Sequence, residues 1–163
     1  MTLTDKLQLV ASLGSVLGVI FLGFQIRESR RIAVVQNAIT GIDSEYLLTL
    51  EHTLKERLSK FTDMTTWDAV ISEEEGLKIL ANEPAETAMW NYLNWWERVA
   101  VGINMGAYNE PMLRRRYGSG LVRVYRRYEK IIDVRRREHR TMYSELEITA
   151  TRWEHKYHLL AAR

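Results

Sequence analysis

The chain has 163 residues, of which 46% are hydrophobic and 27% charged, and its formal net charge is only +2. It contains no cysteine, which excludes a disulfide framework and thiol chemistry. The residues that follow the first 28 suffice for one small domain, and they include no Gly/Ser-rich linker or repeat.

The first predicted element is the uncharged run between Lys6 and Arg27. A helix of these 20 residues would be about 30 Å long, which matches the hydrocarbon core of a bilayer. The run lacks the polar stripe of a helix in a soluble core. A signal peptide usually has a shorter apolar region followed by small residues, whereas this run ends in GFQIRESRR. The pattern therefore favours a transmembrane anchor, residues 1–28, over a cleaved signal or a soluble core helix.

Basic residues predict the orientation of this helix. Lys6 is the one base just before the run, whereas Arg27, Arg30 and Arg31 follow it. Because positive residues stay in the cytoplasm, the domain at residues 29–163 is expected there and the amino terminus outside. Small residues on one side of the run predict close packing against another membrane helix, from a larger complex or a second copy. These residues are Ala11, Gly14, Ser15 and Gly18.

The first half of the domain is predicted to be helical, since it has no run of alternating β-branched residues bounded by turns. Apolar residues at steps of three and four from Ile32 to Leu58 predict a helix of about 30 residues that continues from the anchor and can bend at Gly41. An irregular connection is expected at residues 61–70. Ser72 and Glu75 then have the spacing of a capping box, which predicts the start of a short helix.

The second half contains the most aromatic segment. Pro84 suits the first turn of a helix and Gly106 its end. Asn109 is expected to cap a short turn through Pro111, and the glycines of YGSG are expected to break the chain at residues 117–120.

Apolar residues from Leu121 to Leu160 then keep a step near 3.5, which predicts a long C-terminal helix whose weakest point is VRRREHR. This helix either packs on the bundle or forms an intermolecular coiled coil. The predicted fold class is all-α, with one N-terminal transmembrane helix followed by a cytoplasmic helical bundle that ends in this long helix.

The passage YLNWWERVAVGINMGAYNE resembles a family of bacterial membrane-anchored proteins catalogued as domain of unknown function 4760. The resemblance extends from about residue 7 to about residue 130 and implies this architecture, a bacterial source and hence the inner membrane, with a periplasmic amino terminus. It supplies no catalytic residues. From the residues alone, the motif is either bundle core or an exposed aromatic patch for a partner. Its members are Trp90, Trp95, Trp96, Glu97, Arg98, Gly102 and Gly106.

Charge is divided between two segments. Residues 41–97 carry 12 acids and 4 bases, net −8, whereas residues 114–140 carry 11 bases and 3 acids, net +8. The two segments either attract each other as neighbouring helical layers or leave the basic one to bind an anionic membrane surface or an acidic protein. Nucleic acid is the least favoured partner, although tyrosines interleave with the bases. The bases are Arg114, Arg115, Arg116, Arg123, Arg126, Arg127, Lys130, Arg135, Arg136, Arg137 and Arg140.

A search for catalytic motifs finds no nucleophile elbow, phosphate loop or dinucleotide fingerprint. None of the four histidines has the Glu-x-x-His spacing of a helical di-iron site, and His155 with His158 lacks an obvious third metal ligand. The sequence therefore predicts no enzyme, metal or cofactor. It favours a single-pass inner-membrane accessory or scaffolding protein, a non-catalytic subunit of a larger complex. The alternative is a membrane-anchored effector in phage defence or stress signalling that acts through its basic helix on nucleic acid or anionic membrane.

Overall fold

The computed structural model describes residues 3–40, 42, 44–65 and 68–161, with side chains omitted for residues 3–13, 38–40 and 157–161. The residues described form six helices and no strand, which confirms the all-α class. In this part of the chain, no helix is long and apolar enough to cross a membrane. The helices are α1 Leu3–Thr40, α2 Ser44–Leu58, α3 Glu73–Leu80, α4 Glu83–Asn104, α5 Glu110–Arg136 and α6 Ser144–Ala161.

The bundle is built around α4, which packs against α2, α3, α5 and α6. This central position follows from its sequence, because apolar and aromatic residues occupy almost every side of the helix. Side chains of the other helices surround it in a single hydrophobic cluster. Members with no exposed surface include Leu54, Leu58, Ile79, Met89, Leu93, Leu121, Ile131 and Trp153.

Local capping chemistry fixes three helix starts. The Ser72 hydroxyl accepts from Glu75 N, and the Glu75 carboxylate accepts from Ser72 N at 2.8 Å, which confirms the predicted capping box of α3. Asn82 caps α4, with Pro84 in the first turn as expected. Asn109 caps α5 through Met112 N at 3.0 Å. The predicted irregular connection between α2 and α3 is also confirmed over residues 61–65 and 68–70.

The break predicted at YGSG was wrong. What was expected to be a short turn after Asn109 is the start of α5, which runs through residues 117–120 without interruption. A glycine inside a helix costs about 1 kcal/mol relative to alanine, but here the small residues face tightly packed neighbours. Gly118 is buried, and a Cβ at Gly120 would lie 3.4 Å from the Trp96 ring. Tertiary packing therefore outweighs the helix-breaking tendency of these glycines.

The single long C-terminal helix was also wrong. The chain forms two helices, α5 and α6, which pack against each other, and the separation lies at the predicted weak point. Tyr143, just before α6, has a left-handed backbone with φ of 55°. That conformation is unfavourable for a tyrosine and is maintained by contacts of its side chain with α4, described below. In the same way, the 30-residue helix predicted from Ile32 is divided between α1 and α2, while its continuity with the first helix is confirmed.

Candidate functional site

The described part of α1 has an apolar surface exposed on all sides. Every residue from Gly14 to Ala33 is exposed, whereas Val34 and Val35 are partly covered. Large side chains in this segment keep between 50% and 70% of their surface accessible. A soluble protein rarely exposes so much contiguous apolar surface without something to cover it. The exposed apolar residues before Arg27 are Val16, Leu17, Val19, Ile20, Phe21, Leu22, Phe24 and Ile26.

The small residues of α1 lie open. A Cβ added at Gly14 or Gly18 would meet no atom within 4 Å, and Ser15 is exposed. Ala11 lies outside the residues whose side chains are described. The predicted packing face therefore has room for another helix, and its use remains a prediction.

Five of the eleven bases predicted to bind a partner form ion pairs within the fold. Arg135 pairs with Glu86 of α4, Arg137 with Glu73 of α3 at 3.1 Å, and Arg123 with Asp68 at 3.6 Å. These three contacts support attraction between the basic and acidic segments. Two others reach α6 instead, Arg126 to Glu154 at 2.5 Å and Arg136 to Glu147 at 2.7 Å. About half of the predicted basic binding surface is thus paired with acids inside the fold.

Arg127 is not a surface residue at all. It is 1% exposed, and its guanidinium donates to Ala69 O at 2.8 Å and to Asp63 O at 2.5 Å. The backbone carbonyl of Arg127 also accepts from Ile71 N at 3.0 Å. Arg127 therefore binds the connection between α2 and α3 to α5 from inside the protein, and its assignment to a partner surface was wrong.

The remaining bases are divided between exposed and partly covered positions. Within the residues described, Arg115, Lys130 and Arg140 are exposed and form no ion pair. Arg116 lies over the Tyr117 ring, 5.2 Å from its centroid, and Arg114 is half-buried. The tyrosines proposed as stacking surfaces do not serve that purpose well, because Tyr125 and Tyr128 are buried.

The aromatic motif forms bundle core. Trp95 and Trp96 are each 2% exposed and meet edge to face at 4.9 Å. Trp90 stacks on Tyr143 at 5.8 Å, and the Tyr143 hydroxyl donates to Asn94 Oδ1 at 2.8 Å. Of the two interpretations, packing is therefore supported for the tryptophans. Arg98 points outward and is exposed.

The two glycines of the motif are required for different local reasons. A Cβ at Gly102 would collide with the Tyr108 ring, so the close approach is made by the loop after α4 and not by another helix. Gly106 has φ of +70° just beyond the helix, a conformation that glycine adopts at little cost.

Glu97 takes the place of a missing helix cap. Tyr143 precedes α6 and its side chain is directed to α4, so the first turn of α6 lacks a local acceptor. The Glu97 carboxylate accepts from Leu146 N at 2.7 Å and from Glu145 N at 3.3 Å. Burial raises the pKa of Glu97, and these backbone bonds lower it in part. The Glu97 carboxylate thus joins α4 to the start of α6.

We expect Glu97→Ala to lower the free energy of unfolding by about 1 kcal/mol, the usual effect of removing a helix N-cap.

Glu97→Gln keeps a hydrogen-bond acceptor at this position but removes the group that titrates. Because the folded pKa is raised, the folded state binds the proton more tightly. Glu97 therefore makes stability fall as pH rises from the unfolded pKa of about 4.3 through the folded value. Urea unfolding at pH 4 and pH 7 should show a flatter profile for Glu97→Gln. The exposed control Glu56→Ala should change stability by less than about 0.5 kcal/mol, and equal losses from both alanine variants would contradict the cap.

A polar network that the sequence did not indicate joins α4, α5 and α6. Asn104 donates to Thr149 Oγ1 at 3.1 Å and accepts from Arg152 at 2.8 Å. Glu110 accepts from Arg152 and from Trp153 Nε1, at 3.2 and 2.8 Å. These side chains are 42 to 48 residues apart in sequence, so no local spacing reveals them. Their mutual bonds satisfy the buried Thr149 and indicate a structural role.

The histidines do not form a site in the described part of the chain. His52, His139 and His155 are exposed there, and no three histidine, aspartate or glutamate side chains are grouped to hold a metal. The partner suggested for His155, His158, lies outside the residues whose side chains are described.

A cavity of about 270 Å³ lies where α2, α4 and α5 meet. No local spacing in the sequence indicates this cavity, because its walls come from three helices and the small residues beside it are Ser119 and Gly120. Leu47 and Val124 line it beside three aromatic rings and four polar side chains. The cavity therefore joins apolar walls to convergent polar groups, as small-molecule sites do.

The family model described as a domain of unknown function (DUF4760) matches residues 12–153. The chain belongs to that family, which confirms the resemblance drawn from the aromatic motif and extends it through most of α6. No curated protein and no solved structure matches the chain.

Proposed function

We propose that this protein is a single-pass inner-membrane accessory or scaffolding protein, a non-catalytic subunit of a larger membrane complex. In this proposal residues 1–28 anchor the chain, the amino terminus is periplasmic and the helical bundle is cytoplasmic. The exposed apolar surface of α1 is the observation that carries the proposal. Such a surface is buried either in lipid or against another protein, and which of the two buries it determines where the protein works.

Lipid is the cover that fits this surface best. Apolar side chains are exposed around the whole circumference of α1 between Gly14 and Ile26, so docking on one protein face would leave the rest in water. The uncharged sequence extends from Leu7 to Ile26, beyond the first described side chain. Its length suits a bilayer. Arg27, Arg30 and Arg31 follow at one end, where they suit the cytoplasmic surface.

The packing of the bundle supports an accessory role. The tryptophans of α4 and α6, the Glu97 carboxylate and most of the α5 arginines are engaged in contacts that hold the bundle together. A bundle whose side chains are engaged in internal contacts in this way suits a structural role beside a membrane anchor. The same ion pairs are the reason that we do not favour the effector alternative, in which the arginines of α5 act on nucleic acid or anionic membrane.

The small face of α1 is the proposed contact with the complex. In lipid, helices associate through close packing, which small residues permit. Gly14→Ile with Gly18→Ile should detach the protein from its companion while it stays in the membrane fraction. The test is affinity purification of the tagged chain in mild detergent, with the stoichiometry of the companion measured before and after substitution.

The matched control changes the opposite side of the same helix, Leu17→Ile with Ile20→Leu, and should leave the companion bound. Full retention of the companion by the isoleucine variant would assign the attachment to the bundle instead. A companion that proves to be a second copy of this chain would make the contact a self-association.

A further inference from the structure

The cavity between α2, α4 and α5 is held open by small residues on α5. Ser119 and Gly120 face it where a larger side chain would fill it. A Cβ added at Gly120 would lie 3.4 Å from the Trp96 ring, so the glycine lets α5 pack directly beside that ring. α5 stays helical through Ser119 and Gly120, and a cavity of about 270 Å³ remains beside the core.

The inner wall of the cavity is aromatic. Tyr92 and Trp96 form its floor and are only 1% and 2% exposed, whereas the third lining ring, Tyr117, is partly exposed and meets Trp96 edge to face at 6.3 Å. Tyr117 is held in place by the tryptophans beneath it, so its accessible part is a preformed surface that a flat apolar group can contact without reordering the protein. The size of the cavity restricts the occupant to a small molecule, because a helix of a partner protein would not fit.

The polar groups of the cavity are mainly cationic. Arg116 and Arg123 lie seven residues apart on α5, two helical turns along one face, and both line the cavity. Arg116 forms no ion pair within the residues described, whereas Arg123 reaches Asp68 at 3.6 Å. Glu51 is the one acid among the lining residues, and its carboxylate accepts from the Tyr92 hydroxyl at 3.4 Å. The guanidinium groups therefore dominate the recognition chemistry.

We propose that this cavity binds a small organic anion with a planar apolar body. The body would lie against Tyr117, and the anionic group would meet Arg116 and Arg123. Guanidinium groups bind carboxylate and phosphate oxygens through charge-assisted hydrogen bonds, often bidentate. The anionic group is thus a carboxylate or a phosphate, and the two are distinguished by experiment.

The test uses the full chain in a non-ionic detergent, with a detergent-only blank, and isothermal titration calorimetry. The probes are naphthalene-2-carboxylate, 2-naphthyl phosphate and the neutral naphthalene-2-carboxamide. At least one anion should bind at one per chain, and the carboxamide should bind at least about tenfold more weakly, the size expected for a charge-assisted hydrogen bond. The anion that binds more tightly shows whether the cavity prefers a carboxylate or a phosphate.

Variants separate this site from general basic attraction. Arg116→Gln should weaken binding of the anion about tenfold, whereas Arg115→Gln, at the exposed neighbouring residue, should not change it. Gly120→Leu should abolish binding by filling the cavity, and Ser119→Leu serves the same purpose if the first variant does not fold. Failure of both anions to bind, equal binding of the carboxamide, or equal losses from the two arginine variants would overturn the proposal.

Discussion

Replacement of Arg127 by alanine is expected to lower the free energy of unfolding by about 3–4 kcal/mol, one of the largest effects available to a single substitution. The reason is the position of its guanidinium, which is buried and donates to Ala69 O and Asp63 O. Without it these carbonyl groups lose a charged donor, a hydrogen bond worth about 1.5–3 kcal/mol, and a cavity opens beside the connection between α2 and α3. Urea unfolding followed by tryptophan fluorescence measures the loss.

Two variants identify the cause of that loss. Lys130→Ala, at an exposed residue one turn further along α5, should change stability by less than about 0.5 kcal/mol. Arg127→Met restores most of the side-chain volume but none of the donors. The part of the loss in unfolding free energy that remains in this variant therefore measures the contribution of the hydrogen bonds. If the alanine variants of Arg127 and Lys130 were equally stable, the internal role of Arg127 would be disproved.

Leu17→Arg with Ile20→Arg is expected to release the protein from the membrane. A single arginine near the middle of a membrane helix costs about 2.5–3.5 kcal/mol for insertion, and both positions lie inside the uncharged run. Extraction of membranes with alkaline carbonate provides the measurement. The unaltered chain should remain in the pellet, and the double variant should appear in the supernatant.

The matched control places two arginines on α1 beyond the run, Ser29→Arg with Asn37→Arg, and should stay in the pellet. Release of the unaltered chain by carbonate would refute the membrane anchor. Retention of the Leu17 and Ile20 variant would show that this part of α1 does not enter the hydrocarbon.

Local chemistry made several elements predictable. Ser72 and Glu75 form their capping box within four residues, and Gly106 supplies the left-handed backbone after α4 where the sequence placed the helix end. These features depend on neighbours in the chain, so their patterns can be found in one sequence. The aromatic motif likewise identified the central helix and the family.

Tertiary contacts decided the features that sequence patterns missed. The glycines of YGSG have an intrinsic tendency to break a helix, but the packing of Gly120 on Trp96 lies outside any local pattern. The arginines of α5 look alike in sequence, and only their partners separate the buried Arg127 from the exposed Arg115. The cavity has no sequence signature because α2, α4 and α5 each contribute part of it. The membrane anchor stays a prediction.

The central place of α4 has a consequence for synthesis of the chain. The ribosome releases α4 before α5 and α6, yet Tyr117 of α5 packs on Trp95 and Trp96, and Tyr143 packs on Trp90. Until those later helices emerge, this strongly apolar helix has only the cover that α2 and α3 provide. Exposed apolar surface of this kind attracts chaperones and favours aggregation. The nascent chain is therefore most vulnerable while it ends between α4 and α6, and a cell that makes this protein must protect it during that interval.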